Sequence, residues 1–213
     1  MSIEGCHLFE SWRRRFEASG CILKSAVSVG SISIRGIVYK RLVSVVFESP
    51  EGYTFERNIL LGLDAVVVVP MFFKGEVPYF VVVEQRRVVD GRFSTEFPSG
   101  GVQPGCSSAE TGLRELSEET GIVVIKHRLK SLSRPLKVCE SSLSETVHWF
   151  YVKLRETEVP NDGEVCGIIS ENEQTVVKQL SYKELQQVNS FHVLSACELL
   201  RRSGLIKDLG DRS

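Results

Sequence analysis

Residues 100–122 read GGVQPGCSSAETGLRELSEETGI, and this stretch decides how the 213-residue chain is interpreted. Ser107 is followed three residues later by Glu110, which is the signature of a capping box and predicts a helix that begins near Ser108. Gly121 is typical of the residue that ends such a helix. The stretch therefore predicts a short helix that follows a glycine-rich loop.

Three glutamates lie on one face of this predicted helix. Glu115, Glu118 and Glu119 are spaced i, i+3 and i+4, so their carboxylates emerge side by side. Like charges this close are destabilising unless a cation lies among them, and hard oxygen ligands favour Mg²⁺ or Mn²⁺. A metal held there would neutralise a diphosphate and activate water for attack at phosphorus. The spacing alone also fits a solvated acidic helix face.

The surrounding residues distinguish these two interpretations because the stretch resembles the Nudix box. The pattern of that box is G-x5-E-x7-R-E-U-x-E-E-x-G-U, where U is a bulky aliphatic residue, and eight of its nine specified positions match. The matching residues are Gly100, Arg114, Glu115, Leu116, Glu118, Glu119, Gly121 and Ile122. The resemblance implies a metal-dependent hydrolase of nucleoside diphosphate derivatives.

Cys106 is the one departure, since the pattern has its first glutamate there. In the family that glutamate braces the box by pairing with the arginine. Glu110 lies four residues before Arg114, and we expect it to take over this pairing. The departure leaves open a weakened enzyme or a Nudix-fold binding protein that has lost turnover.

Segments outside the box are similar to the ADP-ribose and ADP-sugar pyrophosphatase branch of the family. Residues 84–87 (EQRR) resemble its E-Q-x-R motif, and residues 96–100 (EFPSG) resemble its E-x-P-A-G motif. Residues 171–173 (ENE) resemble its acidic loop, although a solvated loop would have the same composition. The resemblance covers roughly residues 65–200 and implies hydrolysis of ADP-ribose or an ADP-sugar to AMP and a sugar phosphate.

This resemblance implies a role for each candidate residue. The expected ligands of Mg²⁺, or of Mn²⁺ in its place, are the Ser99 carbonyl, Glu115, Glu119 and Glu173. The expected catalytic residues are Glu118 in a supporting role and Glu171 or Glu173 as the group that positions or deprotonates water. The expected substrate-binding residues are Arg57, Arg87, Gly101 and Glu145. Arg87 also has the alternative of an ordinary surface arginine, although a guanidinium suits phosphate oxygens.

The loop of residues 133–145 is where we expect the substrate to be selected. The branch often has a Ser-Pro-Gly turn there, followed by a glutamate that reaches the active site. Residues 139–145 read CESSLSE, which keeps Glu145 but lacks Pro-Gly. Dinucleoside polyphosphates, dinucleotide cofactors and RNA caps therefore stay open as alternative substrates.

The hydrophobic pattern predicts an α/β fold. Residues 65–69 (AVVVV) and 79–83 (YFVVV) do not alternate with polar residues, which indicates strands buried on both faces. Further strands are predicted at 44–47 and 53–57 around a turn at 48–52, at 146–154 and at 175–180, and a helix at 190–202 with Ser190 as its cap. We expect a Nudix-type α/β/α sandwich with a mixed sheet at residues 63–213 and a small β module at residues 1–62. The resemblance implies that this module is exchanged within a homodimer.

Composition limits the class of partner. Lys and Arg number 26 against 27 Asp and Glu, so no basic surplus points to nucleic acid or to an anionic membrane. The longest apolar run, residues 65–73, contains Pro70 and is too short to span a bilayer. The six cysteines are scattered without a CxxC pair, which predicts reduced thiols in a cytoplasmic protein. The expected partner is a small-molecule nucleoside diphosphate derivative.

Overall fold

The computed structural model describes residue 3 and residues 5–34, 36–168 and 174–206. They form two compact units, one of Met1–Asp64 with Leu136–Val147 and one of Ala65–Pro135 with His148–Ser213. The first unit thus includes a segment far from the N-terminus in sequence. The assignment of residues 1–62 to an accessory module and of 63–213 to a catalytic domain stays a prediction.

Four α-helices and twelve strands occur within the described part of the chain. In chain order they are α1 (His7–Glu17), β1 (Ile22–Ile34), β2 (Ile37–Glu48), β3 (Thr54–Gly62), β4 (Ala65–Lys74), β5 (Val77–Arg86), β6 (Phe93–Glu96), β7 (Ser99–Gly101), α2 (Ser108–Thr120), β8 (Lys130–Ser131), β9 (Leu136–Lys137), β10 (Thr146–Lys153), β11 (Val165–Cys166), β12 (Thr175–Ser181), α3 (Tyr182–Leu185) and α4 (Phe191–Arg202). Two short 3₁₀ turns lie at Lys126–Arg128 and Glu156–Glu158. No helix of these ranges is both long and apolar enough to cross a membrane.

The first unit contains an antiparallel sheet in the order β1-β2-β3, with α1 packed on it. The predicted hairpin is confirmed, since Glu48 at the end of β2 pairs with Thr54 at the start of β3. Helix α1 was not predicted, although Leu8, Trp12 and Phe16 follow a helical spacing. The buried core of the unit is Cys6, Leu8, Phe9, Val43, Val45, Leu61 and Leu63.

The second unit is built on a sheet in the order β11-β12-β5-β4-β10-β8, with β6 and β7 paired to β5 and β4. Strand β4 is buried from Val66 to Phe72, as its unbroken run of valines predicts. Helix α2 covers one face, where Leu116 packs with Val66 and Val68. On the opposite face Tyr182 of α3 contacts Phe80 of β5, with ring centroids 6.2 Å apart. The predicted α/β class with its small N-terminal β-sheet is confirmed.

Helix α2 has the bounds that its sequence predicts. The Ser107 hydroxyl accepts the Glu110 N–H at 3.2 Å, and the Glu110 carboxylate accepts the Ser107 N–H at 3.1 Å, so the capping box is formed. Gly121 ends the helix with a φ of +71°. The expected pairing of Glu110 with Arg114 is wrong: Glu110 turns back to its own cap and pairs with Lys126 instead.

The last helix has Ser190 as its N-cap residue, as predicted, but Ser190 does not cap it through its side chain. Ser190 precedes α4, but its hydroxyl makes no capping hydrogen bond. Its φ and ψ of −129° and 132° are those of extended backbone. The helix is instead stabilised by the buried stripe that Val193, Cys197 and Leu200 form.

Replacing Glu110 with Gln should make the thermal stability of the protein vary less with pH in the acid range. Hydrogen bonds from Ser107 and the charge of Lys126 lower the pKa of Glu110 from 4.5 to about 2. A carboxyl with a depressed pKa stabilises the fold above its unfolded pKa, and this contribution is lost as pH falls from 4.5 to about 2. In thermal unfolding, the Tm advantage of wild type over Glu110→Gln should therefore shrink across that window. An advantage that does not change with pH would contradict this assignment.

Candidate functional site

The site is centred on two carboxylates that α2 buries. Glu115 and Glu119 are one turn apart, and each is only 7% exposed. Glu118 lies on the same helix face and is more accessible, with 28% of its side chain exposed. Burying carboxylates costs free energy unless charges or hydrogen bonds compensate them. The structure therefore brings together what the helical spacing predicts, in a setting that favours a cation.

Arg114 provides part of this compensation. Its Nη2 donates to Glu115 Oε1 at 2.5 Å and its Nη1 donates to Glu118 Oε2 at 2.6 Å. Burial alone would lower the pKa of Arg114, but the charges of the two carboxylates raise it above its usual value. One guanidinium thus braces both glutamates, and it does so from the position next to Glu115 in the chain.

The loop before α2 approaches these carboxylates through its backbone. Strand β7 pairs with β4, which places the Ser99 N–H 3.0 Å from Glu119 Oε2. A Cβ added to Gly100 would lie only 2.0 Å from Glu115 Oε1, so the carboxylate occupies the space that a side chain would need. The backbone of Ser99, Gly100 and Gly101 is thus one wall of the site, beside Glu115 and Glu119.

Arg87 is held at the end of β5 by a partner that the sequence did not reveal. Its Nε and Nη2 donate to the two carboxylate oxygens of Glu96, at 2.9 Å and 2.5 Å. Burial would raise the pKa of Glu96, but the hydrogen bonds from Arg87 and Ser94 lower it. Strand β6 pairs antiparallel with β5, but the register places Glu96 opposite Val83 and not opposite Arg87, so strand pairing alone does not predict this contact.

Comparison with known proteins identifies the fold family. The family model of the NUDIX domain matches residues 63–192, which is more than half of the chain. The chain belongs to the Nudix family. This membership supports a hydrolase that acts on acid anhydrides, and Nudix enzymes generally use divalent metal ions such as Mg²⁺.

One solved structure similar to this Nudix protein is described as the crystal structure of an ADP compounds hydrolase. The two superpose with a TM-score of 0.62, covering 86% of this chain and 93% of that chain. Their sequence identity is 17%, so the likeness shows the shared fold. No curated protein sequence matches the chain.

The oxygen donors of the Nudix box are of the kind that divalent metals prefer, but the described residues include only some of the expected ligands. Glu115 and Glu119 offer hard oxygen ligands, and Ser99, whose carbonyl is a further expected ligand, donates its N–H to Glu119. Among residue 3 and residues 5–34, 36–168 and 174–206, no group of three or more His, Cys, Asp and Glu side chains is arranged to hold a metal ion. Glu173, the further expected ligand, lies outside the described residues, as does Glu171.

Two of the expected substrate-binding residues of the Nudix protein lie in the first unit. Arg57 on β3 stacks 5.5 Å from the ring centre of Phe55 and lines a cavity of about 490 Å³. Glu145 forms an ion pair with Lys40 of β2, a partner that the sequence did not reveal. Gly62 lies close to this pair, because a Cβ there would be 2.8 Å from Lys40 Nζ.

The loop expected to select the substrate is fixed to β3 by its backbone. The Leu60 N–H donates to the Ser142 carbonyl at 2.7 Å, and the Ser144 N–H donates to the Leu60 carbonyl at 3.1 Å. Hydrogen bonds from Ser141 and Ser142 lower the pKa of the exposed Cys139 thiol to about 7. Serine hydroxyls thus organise the segment where the branch often has Pro-Gly.

Proposed function

We propose that the chain is a Mg²⁺-dependent Nudix pyrophosphatase that hydrolyses the diphosphate of ADP-ribose or an ADP-sugar to AMP and a sugar phosphate. The observation that supports it most is the buried pair Glu115 and Glu119, which faces the backbone of β7. Two carboxylates buried one turn apart suit a cation, and their hard oxygen ligands favour Mg²⁺ or Mn²⁺. We also propose a cytoplasmic location, supported by the six cysteines, all of which are free thiols.

In this proposal Glu115, Glu119, Glu173 and the Ser99 carbonyl hold the metal. When bound, Mg²⁺ neutralises diphosphate charge and lowers the pKa of water at the site. Glu118 supports this arrangement through its ion pair with Arg114, which also orients Glu115. These residues keep the carboxylates in one geometry before substrate arrives, so binding does not have to order them.

The remaining expected residues act on water and on the substrate. Glu171 or Glu173 positions or deprotonates the attacking water. Arg87, oriented by its two hydrogen bonds to Glu96, contacts the diphosphate, which a guanidinium recognises through paired N–H groups. Gly101 contributes its backbone next to the diphosphate. We assign Arg57 and Glu145 to the part of the substrate beyond the diphosphate.

A second candidate function is a Nudix-fold binding protein with little turnover. The pairing of Arg114 favours this function. The box pattern has a glutamate at position 106 for the arginine to pair with, whereas here position 106 is Cys and the guanidinium contacts the expected metal ligand Glu115. Cys106 itself is exposed, and its N–H donates to the Gln103 carbonyl. An arginine bound to a metal ligand would compete with the metal for that carboxylate.

A panel of diphosphates separates these functions. With Mg²⁺ or Mn²⁺ present, we expect ADP-ribose or ADP-glucose to be hydrolysed faster than NADH, diadenosine polyphosphates or capped RNA, with AMP detected by chromatography. Faster hydrolysis of a member of the second group would keep the enzyme class and change the substrate. Binding of these compounds without hydrolysis at any metal concentration would establish the second candidate.

A further inference from the structure

The C-terminal end of α2 is held by the hairpin that β11 and β12 form. The last carbonyls of an α-helix have no partner within the helix, so they need hydrogen-bond donors from elsewhere. The Gly167 N–H, just after β11, donates to the Glu118 carbonyl at 3.0 Å. The Thr175 hydroxyl, at the start of β12, donates to the Glu119 carbonyl at 2.8 Å. The hairpin thus caps the helical turn that carries two of the clustered glutamates.

The hydroxyl of Thr175 has a role beyond packing. The residue is 1% exposed and lies opposite Cys166 in the antiparallel pairing of the hairpin. Valine has nearly the same shape and favours strands as threonine does, so packing alone does not require a hydroxyl at this position. A buried hydroxyl costs free energy unless it is hydrogen-bonded. The bond to the Glu119 carbonyl satisfies this hydroxyl and links β12 to α2.

Glu119 is attached to the sheet at two of its groups. Its carbonyl accepts the hydrogen bond from Thr175 on β12, and its carboxylate accepts the Ser99 N–H of β7 at 3.0 Å. Both strands belong to the same sheet, in which β12 pairs with β5 and β7 pairs with β4. Because a helical side chain moves with its backbone, the bond at the carbonyl limits where the carboxylate can lie. Glu119 is therefore restrained before any ligand binds.

We propose that Thr175 is a positioning residue of the metal site, because its hydroxyl fixes the turn of α2 from which Glu119 reaches Mg²⁺. This inference rests on the proposed function, in which Glu119 is a metal ligand. Glu173, a further expected ligand, precedes Thr175 by two residues in the sequence. The hydroxyl thus connects the backbone of one expected ligand to the strand that begins two residues after another. Groups that orient ligands without touching the metal are typically worth about 10–100-fold in metal affinity or activity.

Thr120 supplies a matched control, since it is also a buried threonine and lies next to Glu119. It is 0% exposed, and its hydroxyl donates to the Leu116 carbonyl of the same helix and accepts the Ile122 N–H. Loss of this hydroxyl removes buried hydrogen bonds but leaves the link between α2 and β12 intact. A difference between the two positions therefore measures the link and not the general cost of a lost hydroxyl.

The test compares Thr175→Val, which removes the hydroxyl, with Thr175→Ser, which keeps it, and with the control Thr120→Val. All three should lower the Tm of the metal-free protein, because each disturbs a buried position. Titration with Mg²⁺ then gives the concentration at which half of the increase in Tm is reached. This concentration should rise about tenfold in Thr175→Val and stay close to wild type in the other two variants. If Thr175→Val does not fold, Thr175→Ala replaces it, since it removes the hydroxyl without placing a methyl group against the Glu119 carbonyl.

Kinetics provide a second measurement, with the diphosphate that wild type hydrolyses fastest as the substrate. At limiting Mg²⁺, Thr175→Val should be about tenfold slower than wild type. Saturating Mg²⁺ should restore most of the rate, because the variant displaces a metal ligand and does not remove it. Thr175→Ser should follow wild type at both Mg²⁺ concentrations.

The outcomes separate this inference from the function on which it rests. If Mg²⁺ does not raise the Tm of wild type, the proposed metal site is wrong and the inference is overturned with it. If Mg²⁺ stabilises wild type and Thr175→Val at the same concentrations, the metal site stands and Thr175 has no positioning role. An equal shift in Thr175→Ser or in Thr120→Val would overturn the role of the hydroxyl as well. The Tm titration requires no hydrolysis, so it tests Thr175 even if the substrate is not an ADP compound.

Discussion

Replacing Glu119 with Gln is expected to lower the rate of diphosphate hydrolysis about a thousandfold while the protein stays folded. Metal-assisted charge stabilisation is worth several kcal/mol, and each 1.36 kcal/mol changes a rate tenfold. Gln keeps the length of the side chain and an oxygen that can accept the Ser99 N–H, now bonded at 3.0 Å. It removes the negative charge that the proposed metal site needs.

Two measurements separate this outcome from simple damage to the fold. Mg²⁺ should raise the Tm of wild type, because a ligand that binds only the native state stabilises it, and should not raise the Tm of Glu119→Gln. Glu110→Gln is the matched control, since it makes the same change on the same helix and keeps the capping box. Near-normal turnover in Glu119→Gln would remove Glu119 from the proposed metal site.

The parts of the fold that the sequence predicts well are those that local physics determines. The capping box and Gly121 set the bounds of α2, and the unbroken valines of β4 predict a strand buried on both faces. Helix α1 shows the limit of this approach. Its apolar residues follow a helical spacing, but the helix is stabilised by packing Leu8 and Phe9 against Val43 and Val45, which is a tertiary contact.

The sequence does not predict which of several nearby groups a side chain bonds. Glu110 lies within reach of Arg114 along the helix, yet it bonds to the cap and to Lys126. Arg114 then pairs with Glu115 and Glu118. Spacing states which residues are neighbours, whereas the competing hydrogen bonds decide which neighbours pair.

Ion pairs that are not set by the spacing along one helix are still less accessible to sequence reasoning. Arg87 with Glu96 and Lys40 with Glu145 both depend on tertiary structure. The second pair joins residues 105 positions apart. Each ion pair restrains a residue that the family resemblance assigns to substrate binding. The resemblance indicates the residue, and the structure shows which partner holds its side chain.

Replacing Gly100 with Ala should lower hydrolysis about a hundredfold, because it pushes Glu115 out of place. The added Cβ would lie 2.0 Å from Glu115 Oε1 and 2.3 Å from its Cδ, which is closer than non-bonded atoms approach each other. The carboxylate must therefore move, and a displacement of about 1 Å at a catalytic group can cost a hundredfold in rate. Overpacking of this kind also costs about 1–3 kcal/mol of stability, which thermal unfolding will show.

The neighbouring position supplies the control for this prediction. Ser99→Ala changes the same strand but adds no atom and keeps the backbone carbonyl and N–H, so its activity should stay close to wild type. A loss confined to Gly100→Ala, together with weaker Mg²⁺-dependent stabilisation, would place the defect at Glu115. Equal losses in both variants would show that β7 as a whole is sensitive, and full activity in Gly100→Ala would mean that the position of Glu115 does not limit the reaction.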